Sequence, residues 1–151
     1  MLFHLLGAFL FVGGVIVAGV AFEAARRRRR PSEIVLLLGL TRIGVLLVAF
    51  GAVIVLPFGL WLVHLGRFGY GAAWVDAALA LFAAVSVLGA VGGQRPKRAR
   101  KLAARLAQDD DGETPELRAL LDDRVALILN YVSAAVVLAI VVLMVFKPGA
   151  G

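Results

Sequence analysis

The 151-residue chain contains no cysteine, which excludes disulfides, thiolate metal sites and a cysteine nucleophile. Histidine is nearly absent, with two in the whole chain, so imidazole chemistry is confined to His4 and His64. Acidic residues are outnumbered, ten Asp and Glu against 16 Lys and Arg, and none lies near the middle of a long apolar run. A proton-coupled exporter built from four spans would need such an acid as its relay, so a small-molecule transporter ranks third among the readings. Ser86 and Ser133 have no histidine base beside them in sequence, and a lone serine is no nucleophile. Gly92-Gly93 is too short for a phosphate loop. No hydrolase, kinase or dinucleotide fingerprint is present, and the reading leans away from an enzyme.

Apolar residues are abundant instead. They make up 62% of the chain, against about 45–50% in ordinary globular domains, and the mean hydropathy is +0.95. They fall into four blocks, at about 2–22, 34–65, 72–93 and 125–146, each near or above the roughly 20 residues that cross a bilayer. Backbone polar groups in lipid must be satisfied within the segment, so the blocks predict α-helices. The expected fold class is all-α, a polytopic four-transmembrane-helix bundle in one domain.

The stretch FEAARRRRRPSEI sets its orientation. Five arginines, Arg26, Arg27, Arg28, Arg29 and Arg30, follow the first block, whereas a signal peptide carries its charge before the apolar region. The first block therefore reads as a retained span. A second basic segment with Arg95, Lys97, Arg98, Arg100, Lys101 and Arg105 follows the third block, while the remaining loop and tail have only Arg67 and Lys147. The positive-inside rule puts both basic segments in the cytoplasm, giving an N-out, C-out multi-pass protein of the cell (inner) membrane. These cations serve as topology determinants and contacts for anionic lipids at the cytoplasmic face. No base-reading or interleaved aromatic residues accompany them, which argues against nucleic acid.

The segment at about 94–123 is the main part outside the lipid and predicts a helical hairpin extending spans three and four. Its basic arm places Leu102 and Leu106 on one face, DDDGE turns, and Thr114 and Pro115 suit N-cap and N1 of a helix burying Leu117, Leu120 and Leu121. The basic arm is expected to face Glu113, Glu116, Asp122 and Asp123 as a solvated charged surface, each exposed pair contributing about 0–1 kcal/mol. Ser32 is expected to cap helix two. Gly14-x-x-x-Ala18, Gly89-x-x-x-Gly93 and Ala135-x-x-x-Ala139 fit close helix packing, in a homo-oligomer or against a membrane-protein partner.

Polar residues in spans are the candidates for chemistry. With Phe22 and Ile43 taken as inner boundaries, His4 and His64 differ in depth by only about 4–5 Å, near the outer face. Asp76 lies near them, with Trp61, Arg67, Tyr70 and Trp74. Two imidazoles across a helix pair suit a haem b iron, or a divalent metal with Asp76 as a third ligand. The competing reading is an ordinary interfacial aromatic belt. At the inner side, Glu23 and Arg42 are expected either to pair within the membrane or to snorkel separately, Asn130 to bond between helices, and Pro57 to kink helix two.

HLLGAFLFVGG, from His4 to Gly14, and GLWLVHLGRFGYGAAWVDAAL, from Gly59 to Leu79, together resemble an uncharacterised domain-of-unknown-function family of four-span bacterial membrane proteins. That family is distantly similar to the copper-resistance protein D and HemJ-type protoporphyrinogen oxidase group, and the likeness covers roughly the first three spans. In the HemJ-like relatives a histidine of span one is associated with haem, and His4 is the matching position; His64 has no counterpart there. The resemblance thus implies a membrane bundle and adds weight to haem at His4. The leading reading is a non-enzymatic accessory or structural bundle. A redox or metal-handling protein using His4 and His64 is the alternative.

The absence of cysteine makes the orientation directly measurable. A membrane-impermeant maleimide should label Gly66→Cys in intact spheroplasts and Asp110→Cys only after lysis; the reverse pattern would invert the topology.

Overall fold

The computed structural model describes residues 1–66 and 72–146. Six helices follow in order: α1 Leu2–Arg26, α2 Pro31–Leu65, α3 Ala73–Gly92, α4 Gln94–Asp109, α5 Pro115–Leu121 and α6 Arg124–Phe146. Four helical stretches are long and apolar enough to cross a membrane, the last two counted with α4 and α5 as their extensions. The all-α four-span architecture expected from the sequence is therefore the one adopted. Arg67, Tyr70 and Lys147 lie outside the described residues.

In lipid, contact between helices releases little water, so association relies on close packing. α1 and α2 achieve this through glycines seven residues apart, Gly7 and Gly14 on one, Gly44 and Gly51 on the other. A Cβ on Gly14 would lie 2.6 Å from the Gly44 carbonyl oxygen, and one on Gly44 would lie 2.6 Å from the Ala18 nitrogen. One on Gly7 would meet the Val55 nitrogen at 2.7 Å, and one on Gly51 would strike the Phe11 backbone. The Gly14–Ala18 stripe is thus half of a backbone-to-backbone seam. Its other half escapes a search for small-xxx-small spacing, because two turns separate its glycines. The remaining two stripes are not used in this way: nothing lies within 4 Å of a Cβ on Gly89, and Ala135 is exposed.

α3 and α6 form the second helix pair. It meets the first at mid-membrane through Phe11, Val85 and Val137, with Phe82 tilted against Phe11 at 5.5 Å between ring centroids. Nearer the His4 end, Val63 of α2 packs with Trp74 and Val75 of α3. Trp74, expected in an exposed interfacial belt, is buried.

The glycine seam also sets the depth of each residue. Ala18 lies opposite Gly44, and the same antiparallel register puts Phe22 opposite Leu38 and Ala18 close to Arg42. Asn130 of α6 packs over Gly19, and Leu129 over Gly92. Ala18, Arg42, Gly92 and Asn130 therefore share one level. From there α3 runs 20 residues to its other end, about 30 Å at 1.5 Å per residue and the thickness of a hydrocarbon core. The 35 residues of α2 span about 52 Å, and those from Pro31 to Thr41, about 16 Å, project past that level.

The projecting ends of α1 and α2, with α4 and α5, form a head at the arginine-rich end. Phe22, Ala25, Ile34 and Leu38 meet Ala99, Ala103, Leu117 and Leu121 in its core, most of them fully buried. The expected two-helix hairpin is accordingly incomplete, because α1 and α2 supply half of this core. α4 turns Ala99 and Ala103, rather than Leu102 and Leu106, fully inward. The short side chains let it lie close to α2.

Gly51→Ala should destabilise the protein by about 1–3 kcal/mol through overpacking of the seam. Gly13→Ala, where a Cβ meets nothing within 4 Å, should be neutral or slightly stabilising. Unfolding by sodium dodecyl sulfate in mixed micelles reads both.

Candidate functional site

The polar side chains gather in two places, the head and the His4 end. In the head they close off helix termini. The last carbonyls of α1 have no intrahelical donor. Arg118 of α5 donates from its two terminal nitrogens to the Arg26 and Arg28 carbonyl oxygens at 2.6 and 2.8 Å. In return Arg26 donates from Nε to the Leu121 carbonyl oxygen at the end of α5, at 3.0 Å. Each helix thus caps the other with a guanidinium, which also complements both macrodipoles. Arg26 is held in place by Glu23 at 2.8 Å and Asp122 at 3.1 Å, and Arg118 by Glu113.

α2 is capped from outside. Its first residue is Pro31, with Arg30 as N-cap, so Ser32 lies inside the helix and cannot serve as the expected cap. Ser32 instead donates, from its backbone nitrogen and from Oγ, to the Asp111 carboxylate, both at 2.8 Å. Asp111 sits in the α4–α5 turn with φ of 45°, a left-handed conformation that Asp tolerates better than most residues. Thr114 accepts from the Leu117 nitrogen and Pro115 is first in α5, as the sequence implied. Asp123 accepts from the Ala126 nitrogen at 2.9 Å, capping α6, and pairs with Arg95.

These contacts redistribute the expected charges. Glu23 is held by Arg26 and Arg27 of its own helix rather than by Arg42, which lies about five residues, some 7 Å, deeper and is exposed. Arg28 pairs with Glu33 at 3.6 Å. Among the described residues Arg29 and Arg30 make no ion pair, and both are exposed, as are Lys97, Arg98 and Lys101; Arg100 is half-buried. Except for Asp123, the acids expected to face α4 are not ion-paired with it: Glu113 goes to Arg118, and Asp122 to Arg26 and Arg118.

At the other end, His4 is half-buried against α2, with its Nδ1 3.0 Å from the Val55 carbonyl oxygen. A carbonyl only accepts, so Nδ1 carries the proton, and in the neutral ring Nε2 keeps a lone pair. Gly59 makes room for the ring: a Cβ there would lie 3.0 Å from His4 Cε1. His64 lies five residues past Gly59, which turns it about 140° around the helix and carries it some 7–8 Å further out. It is exposed. The smaller offset expected from the sequence assumed Phe22 and Ile43 to be level, whereas Phe22 lies with Leu38. Asp76 is exposed in the first turn of α3, where an acid suits the helix dipole. Among the described residues no three His, Cys, Asp or Glu side chains gather as a metal site. His4 fits one axial position on a haem iron, but His64 is not placed across from it to supply the other.

A family model described as a predicted integral membrane protein (DUF2269) matches residues 1–148, and the chain belongs to that family. No curated protein and no solved structure matches it.

Removing the Arg118 guanidinium in Arg118→Met takes one donor from the Arg26 carbonyl at the end of α1 and one from the Arg28 carbonyl just past it. The expected loss is about 2–3 kcal/mol, the scale of hydrogen bonds to a charged group. Asp111→Ala should cost about 1 kcal/mol through the lost cap and the unfavourable φ, and Asp111→Asn much less. Both effects should appear in thermal unfolding and as faster proteolysis at residues 109–114.

Proposed function

We propose that the protein is a non-catalytic membrane scaffold that acts by packing against further copies of itself or another membrane protein. Its arginine-rich head would lie in the cytoplasm and both termini outside, in a bacterial inner membrane. The observation that carries this reading is the division of labour among the small-residue stripes. Those of α1 and α2 are consumed in the internal seam, while Gly89 on α3 meets nothing and Ala135 on α6 is exposed. Small residues facing outward in a span allow another helix to approach closely. The capped head holds the two helix pairs together without help from such a partner. The exposed Arg29, Arg30, Lys97 and Lys101 would rest against anionic headgroups at the same face.

A second reading, a haem b protein, is favoured by one observation, the His4 ring held through Nδ1 with Nε2 available as a ligand. Haem would supply one-electron chemistry; His4 would hold it, its ring anchored on the Val55 carbonyl oxygen and accommodated by Gly59.

One preparation distinguishes the two readings. The protein is purified in mild detergent from haem-replete cells, and mass and absorbance are measured on the same chromatographic peak. A scaffold should give at least twice the 16.0 kDa chain mass, reduced towards one chain by Gly89→Leu, with no Soret band. A monomer at every concentration would sink self-association. A Soret band with sharp reduced α and β bands, lost in His4→Ala, would replace the scaffold with the haem reading.

A further inference from the structure

A groove of about 250 Å³ lies where α3 bends into α4 beside the first turns of α6. It is lined by the apolar residues Val91, Val125, Ala126 and Leu129 and by the polar residues Gln94, Arg95 and Arg98. Leu129 packs at Gly92, the level at which the 20-residue crossing of α3 ends, so the groove lies at the bilayer boundary. Val91 and Leu129 lie at that level, and Gln94, Arg95 and Arg98 lie on its head side.

The charges lining the groove are unbalanced. Arg95 is paired with Asp123, whose carboxylate also caps α6. Arg98 is exposed and makes no ion pair among the described residues. It also lines a second, adjoining groove of about 370 Å³ with Lys101, Arg105 and Glu116. The two grooves are lined by four cations, Arg95, Arg98, Lys101 and Arg105, and one acid, Glu116.

We propose that this groove seats one anionic phospholipid, its phosphate on Arg98 and the start of an acyl chain over Leu129 and Val91. The proposal deepens the headgroup contact described above and rests on it. A guanidinium forms charge-assisted bonds to phosphate oxygens, often two in parallel. Free phosphate would satisfy Arg98 but leave the apolar lining wet. A zwitterionic lipid would bring its ammonium into an already cationic site. An anionic diacyl lipid satisfies the apolar lining, Arg98 and the net charge together.

The test uses the full-length protein in detergent, titrated with dioleoylphosphatidylglycerol or dioleoylphosphatidylcholine and read by native mass spectrometry. One tightly held phosphatidylglycerol is expected, with phosphatidylcholine weaker and millimolar inorganic phosphate unable to displace the bound lipid. Arg98→Gln should weaken that binding about tenfold, Arg98→Lys should recover part of it, and Arg29→Gln should change it less than about twofold. Equal losses in Arg98→Gln and Arg29→Gln would overturn the seat and leave only diffuse headgroup contact. Displacement by inorganic phosphate would overturn it in favour of a plain anion site. No preference for phosphatidylglycerol over phosphatidylcholine in any variant would overturn both the seat and the headgroup contact beneath it.

Discussion

The carbonyls at the end of α1 need donors, and they find them on a helix about 90 residues further along the chain. Arg118 supplies two N–H groups to the Arg26 and Arg28 oxygens, and Arg26 returns one to Leu121. The rest of the head depends on this exchange. It holds α5 against α1, which buries Leu117 and Leu121 between Phe22, Ala25 and Ile34. It also fixes the α4–α5 turn, so that Asp111 can reach the start of α2. This mutual capping therefore joins the first helix to the second half of the chain, closing the fold.

Two kinds of cohesion operate along the helix axes. Beyond the level of Arg42 and Gly92 the head carries most of the charged residues, and in water burying a side chain such as Ile34 or Leu117 contributes about 1.5–3 kcal/mol. That force is largely absent between spans, because lipid tails are as apolar as the side chains themselves. There α1 and α2 rely on four glycines that bring backbones together, and the two helix pairs touch at a few larger residues, Phe11, Phe82 and Val137 among them. The head is accordingly the better-buried part of the molecule although it holds the fewer apolar residues, and the bilayer portion keeps wide faces open to lipid or to another protein.

Much of the architecture was legible from composition and block length. Four apolar runs, the Thr114–Pro115 start of α5 and the Leu117–Leu121 face follow from local rules that depend on few residues. The five arginines are indistinguishable as a local run, which hides their division. Arg26, Arg27 and Arg28 find acids on α1, α2 and the α5–α6 connection, while Arg29 and Arg30 stay exposed. Identical neighbours acquire different roles because the helix ends at Arg26, and each later residue points elsewhere. Ser32 misled for a related reason: Pro31 already begins the helix, so the cap came from Asp111 rather than from a neighbour. The candidate histidines carried even less information, since their relation depends on the phase and register of two helices.

What the sequence determined alone was the solvent for each segment. Hydropathy and charge are sums over side chains, and the transfer free energy of a 20-residue run hardly depends on what it later touches. What the tertiary structure decided was register and pairing: which glycines meet, which arginine caps which helix, and that His4 takes Val55 as its partner. Those outcomes depend on ångström-scale distances between segments far apart in the chain, and a helix carries no local record of the neighbour it will meet.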